Sequence, residues 1–159
     1  MTSTHTATVE LPSDTTILIT REFAAPKHLV YRAWTEPELI KRWWAGQRGT
    51  VDSIDVDLRV GGQWRYVMTA NEGFAVAFHG EFREIVPNER LVTTEIYEEV
   101  PDDYAIDTAT FVEHDGRTTL TVLVEHTCQE ARDMHINSGM EGGMQEAFDL
   151  AEQVAVSLA

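Results

Sequence analysis

The middle of the chain, from Thr50 to His126, consists mostly of short segments in which apolar and polar residues alternate. A period of two is typical of β-strands with one buried face, and Gly, Pro, Asn and Asp mark turns between the segments. With one earlier segment, the pattern predicts strands at Thr16–Phe23, Val51–Val60, Gln63–Met68, Phe74–Phe82, Leu91–Tyr97, Ala105–His114 and Thr118–His126. One apolar and one mixed face per strand indicates an antiparallel sheet that is covered on one side only.

Two short helical patterns lie between the first two strands. Pro26 is suited to the first turn of a helix, and apolar residues then recur at helical spacing. The two sets are Leu29, Val30, Ala33 and Trp34, and, after Pro37, Leu39, Ile40, Trp43 and Trp44. Helices this short are not stable alone in water, so both are expected to pack their apolar faces on the sheet.

A long amphipathic helix is predicted after the last strand. Thr127 and Glu130 form a capping box, which places the helix start there, and the helix then runs to the C-terminus. Its inward face reads Met140, Met144, Phe148, Ala151 and Val154. Strands closed by one such helix suggest a curved sheet that grips the helix around an apolar space.

Three glycines interrupt this helix pattern, at 139, 142 and 143. Each disfavours a helix by about 1 kcal/mol relative to alanine. Close approach of the helix backbone to the sheet or to a ligand is one explanation. A break or kink near Asn137-Ser138-Gly139 is the other, and the sequence does not distinguish the two.

Strand parity indicates which side chains face the apolar space. Trp64, Tyr66 and Met68 share one face of their strand, Phe78 lies on the aromatic face of the next, and His126 shares the parity of Val122 and Val124. For Leu91–Tyr97 and Ala105–His114 either face could be the buried one. Met, being unbranched and polarizable, suits an adaptable wall. The candidate ligand-binding residues are Trp64, Tyr66, Met68, Phe78, His126, Met140, Met144 and Phe148. The same aromatic and Met stripes are also typical of an ordinary packed core.

Composition narrows the classes of partner. A chain of 159 residues fits one domain, predicted to span 15–159, and the Thr- and Ser-rich residues 1–14 are predicted to be flexible. Twenty-seven acidic against twelve basic residues give a net charge of -15, which disfavours nucleic acid and anionic membrane surfaces. No signal-peptide or membrane-spanning pattern occurs, and Cys128 is alone, so a cytoplasmic protein without membrane insertion is expected.

The sequence offers no recognisable catalytic or metal-binding motif. No two histidines have the spacing of a helical or strand metal site, and Ser138 lacks a nucleophile-elbow context. Gly61-Gly62 lacks the Lys and Ser/Thr of a phosphate-binding loop. We therefore predict no metal, no cofactor and no catalytic residue.

Several stretches resemble the family of homologues of the activator of heat-shock-protein-90 ATPase. They are Arg21–Pro26, Ala33–Thr35, Leu39–Trp44, Leu58–Gly62, Gly80–Phe82, Pro87–Leu91 and Ser138–Met144. The resemblance covers nearly everything from Ile17 onward. It implies the α+β helix-grip fold of the START-like superfamily, which includes the birch-pollen allergens: a curved antiparallel sheet of about six or seven strands, two short helices and one long C-terminal helix. It also implies a cavity between helix and sheet, used in the superfamily for apolar ligands, and no catalytic residue.

Three functions are compatible with these observations. The first is a non-enzymatic module that binds a small, mostly hydrophobic molecule. The second is a protein-interaction or co-chaperone-like module, whose acidic segment from Glu98 to Asp103 would meet a basic partner. The third is an enzyme of the polyketide cyclase or hydrolase type, for which the sequence identifies no acid or base. A homodimer would be favoured if Trp43 or Trp44 were exposed.

Overall fold

Eight antiparallel strands form one curved sheet in the structure, a computed structural model that describes residues 6–159. The strands are β1 (Thr8–Glu10), β2 (Thr16–Phe23), β3 (Gly49–Val56), β4 (Gln63–Ala70), β5 (Ala75–Val86), β6 (Arg90–Tyr97), β7 (Tyr104–His114) and β8 (Arg117–Glu125). Their spatial order is β1-β2-β8-β7-β6-β5-β4-β3, so only the β2–β8 pairing joins strands distant in sequence. The helix-grip prediction is confirmed, with eight strands rather than six or seven.

Four helices complete the fold: α1 (Lys27–Thr35), α2 (Pro37–Ile40), α3 (Gln129–Ile136) and α4 (Met140–Ser157). The second helix is shorter than the apolar pattern suggested. It ends at Ile40, and Trp43 and Trp44 lie in the turns that follow, where both backbone N–H groups donate to Ile40 O. No helix within residues 6–159 is long and apolar enough to cross a membrane.

The extra strand comes from the segment predicted to be flexible. Thr8–Glu10 pairs with β2, and the Gln145 side chain of α4 holds Ala7 through both backbone groups, with N···Oε1 2.9 Å and Nε2···O 2.8 Å. Ala7 is buried. Strand β1 therefore lies within the predicted segment 1–14, of which residues 1–5 lie outside the described part.

The C-terminal helix is two helices, not one. The capping-box prediction is wrong: the N-cap of α3 is Cys128, without a side-chain cap, and Thr127 Oγ1 instead donates to Asp103 Oδ1 at 3.1 Å. Gly139 separates α3 from α4 with φ of +83°, a left-handed conformation that favours glycine. At 142, a Cβ would lie 2.8 Å from the Arg48 guanidinium. The break near Gly139 is therefore observed, whereas the close approach at 142 and 143 is to the Arg48 side chain and not to the sheet or a ligand.

The core lies between α1, α4 and the neighbouring part of the sheet. Apolar side chains from both helices and from β2, β7 and β8 are buried there; they include Ile17, Phe23, Val30, Phe111, Leu120, Ala151, Val154 and Ala155. A charged group is buried among them. Arg21 contacts Asp149 (2.7 Å) and Glu152 (3.4 Å) of α4, which ties the helix to β2.

A polar-floored cavity between the sheet and the C-terminal helices

The concave face of the sheet does not touch α3 and the first half of α4 everywhere. A cavity of about 950 Å³ separates them. Exposed residues of three segments mark where it reaches solvent: Gln47 and Arg48 after α2, Asn71 and Phe74 at the β4–β5 turn, and Ser138 before α4. The cavity is therefore an open pocket of the size that small-molecule sites have.

All eight candidate ligand-binding residues lie on its wall: Trp64, Tyr66, Met68, Phe78, His126, Met140, Met144 and Phe148. Register explains the first four, because Tyr66 is paired with Phe78 across β4 and β5 and residues two apart share a face. The structure therefore brings together the residues that parity and spacing predicted to face one apolar space. Their contact with a ligand stays a prediction.

Aromatic side chains form the end of the cavity near β4 and β5. The Trp44 ring meets Tyr66 and Phe78 edge-on, with centroids 5.3 and 5.9 Å apart, and Phe78 stacks on Tyr97 at 5.1 Å. At the other side, Phe148 meets Trp43 at 6.4 Å. Trp43 itself is buried and donates from its indole N–H to Ala33 O. Neither Trp43 nor Trp44 supplies the exposed surface on which the homodimer expectation rested.

The strands whose parity the sequence left open contribute the polar part of the wall. Glu95 and Tyr97 of β6, and Ala105 and Asp107 of β7, face the cavity. Sequence reasoning missed Glu95 and Asp107, although both belong to the strands it identified. Their neighbours on the opposite face include Ile96 and Ile106, so hydrophobicity alone did not indicate which face was inside.

Asp107 and Glu95 form a pair of carboxyl groups. The Asp107 carboxyl is removed from water and lies beside Glu95, which repels its charged form and shares a side-chain hydrogen bond with it; together these raise the pKa of Asp107 well above its usual range. Asp107 Oδ1 is buried and has no hydrogen-bond partner among the described residues. Burial and the charge of Glu95 also raise the pKa of Tyr66, so its hydroxyl stays neutral.

A pair of histidines closes the cavity beneath α3. His126 Nε2 lies 3.0 Å from His135 Nδ1, and His126 Nδ1 lies 3.7 Å from Asp103 Oδ2. Burial, and then the proximity of His135, lowers the pKa of His126, which Asp103 and Glu95 only partly offset. His126 is therefore neutral near pH 7 and offers hydrogen bonding rather than charge.

Arg48 is the one arginine or lysine on the cavity wall among residues 6–159, and it lies at the opening. Its side chain is half exposed, pairs with Glu146 at 3.6 Å and lies along Gly142 and Gly143. A larger residue than glycine at these two positions would push the guanidinium away from α4. Sequence analysis connected these glycines with a close approach but did not identify Arg48 as its partner.

Other candidate groups lie away from the cavity or are already paired. His79 is on the convex face, 2.9 Å from Glu98, and Arg65 binds the same carboxylate through two hydrogen bonds. These two partners lower the pKa of Glu98 to about 2. Part of the acidic segment is thus neutralised within the chain. In the described part of the protein, no three His, Cys, Asp or Glu side chains come together as a metal site would require.

Comparison with known proteins agrees with this architecture. The family model described as Activator of Hsp90 ATPase homolog 1-like protein matches residues 24–155. No curated protein is significantly similar to this sequence.

Solved bacterial structures have the same fold. A crystal structure of a protein from Rhodobacter sphaeroides has 25% identity and a TM-score of 0.88, covering 95% of this chain and 99% of that one. A crystal structure of a protein from Nitrosomonas europaea has 26% identity and a TM-score of 0.83, covering 93% and 98%. One from Mycobacterium smegmatis has 26% identity and a TM-score of 0.81, covering 96% and 97%.

Proposed function

Because this chain belongs to the Activator of Hsp90 ATPase homolog 1-like family, a fold family that commonly binds hydrophobic ligands, we propose that it binds a small, mostly hydrophobic molecule in the cavity between sheet and C-terminal helices. The observation that carries this proposal is the cavity of about 950 Å³ with its aromatic and methionine wall. The proposed role is binding, without a chemical step.

The size of the cavity argues that it is occupied in solution. Empty apolar space costs about 24 cal/mol per Å³ when a core is left with a void, so a dry space of this volume would cost roughly 20 kcal/mol. That exceeds the stability of about 5–15 kcal/mol that a whole domain has. Water or a ligand therefore fills it, and burying an apolar ligand against this wall releases that water favourably.

The wall is suited to a ligand whose shape is not rigidly prescribed. Met68, Met140 and Met144 approach the cavity from β4 and α4, while Trp44 and Phe78 provide flat aromatic surfaces. Methionine adapts to irregular shapes because its three side-chain torsions are free. The aromatic end would hold a ring or chain, and the methionines would close over it.

Native mass spectrometry after gentle purification, combined with displacement of the neutral dye Nile red, tests the proposal. Met144→Trp places an indole into the cavity and should reduce dye affinity at least about tenfold, by removing space that the dye needs. Val156→Trp is the matched control, because Val156 is an exposed residue of the same helix and does not line the cavity.

The proposal fails if no apolar compound or dye binds to the folded protein. It also fails if dye binds but both tryptophan variants retain wild-type affinity, since binding would then lie elsewhere. Circular dichroism on both variants establishes that they fold.

A further inference from the structure

Glu95 and Asp107 form what we call the polar floor of the cavity, and these two residues indicate what kind of hydrophobic molecule would fit. We infer that the cavity selects an apolar ligand carrying a hydrogen-bond-donating cation, an amine or amidine, whose nitrogen binds between Glu95 and Asp107. This inference rests on the proposed function, because it names the ligand class of the same cavity.

Hydrogen-bonding capacity gives the first argument. Two carboxyl groups can hydrogen-bond to each other only through a proton, and the raised pKa of buried Asp107 beside Glu95 favours one proton held between them. Every remaining lone pair on the two groups is an acceptor. Asp107 Oδ1 is such an acceptor, buried and without a partner among the described residues. Buried acceptors without partners are costly, so the complementary ligand group is a donor.

Charge gives the second argument. One shared proton leaves the pair with a net negative charge, and no lysine or arginine of the described chain forms an ion pair with either group. Arg48 is at the opening and is occupied by Glu146. His126 lies on the same wall, but burial lowers its pKa, so it remains neutral near pH 7. A cationic ligand would supply the missing charge, and a carboxylate ligand would add a further negative one.

Position gives the third argument. Glu95 is paired with Ala105, and Asp107 with Thr93, so the two acids are diagonal neighbours on one face of β6 and β7. Diagonal neighbours lie about 7–8 Å apart at the backbone, close enough for both carboxyl groups to reach one nitrogen. Ala105, the partner of Glu95 across the two strands, also lines the cavity, and its methyl group takes up little space beside that nitrogen. The apolar remainder of the ligand would then extend toward Tyr66 and the methionines.

Binding of an ammonium ion should displace the shared proton. With the cation bound, the charged form of Asp107 is favoured, and the proton leaves to solvent as the N–H donors take its place. The titratable groups that face the pair are Tyr66 from β4, Asp103 from the β6–β7 loop, His126 after β8 and His135 from α3. Calorimetry of amine binding in two buffers of different ionisation enthalpy measures this proton release.

Three probes of equal chain length test the inference: decylamine, 1-decanol and decanoate, each followed by Nile red displacement below its micelle concentration or, for 1-decanol, below its solubility limit. We expect decylamine to bind about tenfold to a hundredfold more tightly than decanol, as charge-assisted hydrogen bonds contribute about 1.5–3 kcal/mol. Decanoate should bind most weakly. In the double variant Glu95→Gln, Asp107→Asn, amine and alcohol should bind equally and proton release should disappear.

A matched double variant separates local recognition from general attraction to an acidic protein. Asp55→Asn with Glu81→Gln makes the same two kinds of substitution at exposed strand positions that do not line the cavity; it removes at least as much negative charge and should retain the amine preference. Equal binding of all three probes, or tightest binding of decanoate, overturns the inference and leaves the proposed function intact. So does an amine preference that survives the cavity double variant. Failure of all three probes contradicts the proposed function itself.

Discussion

The two halves of α4 have different surroundings. Its C-terminal half inserts Ala151, Val154 and Ala155 into solid core, each 4% exposed or less. Its N-terminal half carries Met140 and Met144, which are only partly buried because they face the cavity. We call these the packed end and the hollow end of the helix. The same apolar stripe continues along both halves of the helix, so the difference arises from the side chains of the sheet that face each half.

The partners of the buried ionisable groups also differ between the two ends. At the packed end the buried charge, Arg21, has carboxylate partners from α4. At the hollow end the buried carboxyl, Asp107, has the acid Glu95 beside it and no lysine or arginine partner among the described residues. A buried charge with an oppositely charged partner is compatible with a closely packed core. A buried ionisable group without such a partner is typical of a ligand-binding or catalytic site. The contrast assigns the stability of the fold mainly to the packed end, and it gives the hollow end the open space that the proposed binding requires.

The largest effect is expected at the packed end. Phe111 is fully buried on β7 and meets Tyr31 of α1 edge-on at 5.6 Å. Phe111→Ala should lower the free energy of unfolding by about 3–5 kcal/mol, since it leaves a void in a close-packed region. Urea denaturation measures this. Nile red affinity should not change in the folded fraction. Loss of dye binding with unchanged stability would contradict the proposed difference between the packed end and the hollow end.

The buried ion pair should have the next largest effect. Glu152 contacts Arg21 and also accepts a hydrogen bond from Ala24 N at 2.9 Å. Glu152→Gln should cost about 2–3 kcal/mol, because it weakens the compensation of a buried guanidinium. Asp149→Asn is the control: Asp149 contacts the same arginine but its side chain is 58% exposed, so the loss should be under about 1 kcal/mol. Equal losses would contradict the role of burial.

Truncation at the hollow end should matter less for stability. Met144→Ala removes a side chain that already borders open space, so the unfolding free energy should fall by only about 1 kcal/mol. Dye affinity should weaken at the same time. Chemical denaturation and dye titration of one preparation measure both. A stability loss as large as that of Phe111→Ala would mean that Met144 belongs to the packed core.

The last predicted stability effect should have the opposite sign. The pKa of Asp107 is raised in the folded protein, so folding is favoured below the unfolded value of 3.8 and this contribution is lost as pH rises toward the folded value. Asp107→Asn should therefore stabilise the unliganded protein near neutral pH by more than the roughly 0.5 kcal/mol of an ordinary surface change. Urea melts at several pH values should show the gain shrinking toward pH 4. A gain independent of pH would contradict the assigned cause.

The sequence predicted the hollow end well where its two faces differ strongly. In β4, the aromatic Trp64 and Tyr66 alternate with the polar Gln63 and Arg65, so parity alone identified the inward face. The helix residues Met140 and Met144 followed from helical spacing. The succession of strands and helices along the chain, with a helix closing the sheet, was predicted from the same patterns and from the family resemblance.

The polar floor could not be predicted because its strands place carboxyl groups inward and some apolar side chains outward, the reverse of the usual pattern. In β7 the inward face includes Ala105 and Asp107, while Ile106 and Val112 point outward, and Val112 is 57% exposed. Burying the carboxyl there is unfavourable by itself, so local pattern reasoning has no means of placing it inside. The register with β6 and β8, which the pattern within β7 does not contain, decides the face.

Capping at α3 was mispredicted for a related reason. Thr127 and Glu130 have the right spacing for a local capping box, but Asp103 is within reach of the Thr127 hydroxyl and accepts its hydrogen bond. The Thr127 hydroxyl therefore binds a residue distant in sequence and does not cap the helix that follows it. The break at Gly139 was among the alternatives considered, since glycine there is compatible with both a kink and a close approach.

Methyl NMR of the protein titrated with 1-decanol tests the central distinction most directly, because it reports on both ends of α4 at once. We predict chemical-shift changes concentrated at the methyl groups of Met68, Met140 and Met144, with those of Val154 and Ala155 unmoved. Changes spread equally over both ends, or confined to exposed residues such as Val156, would contradict the account of a binding cavity beside a solid core.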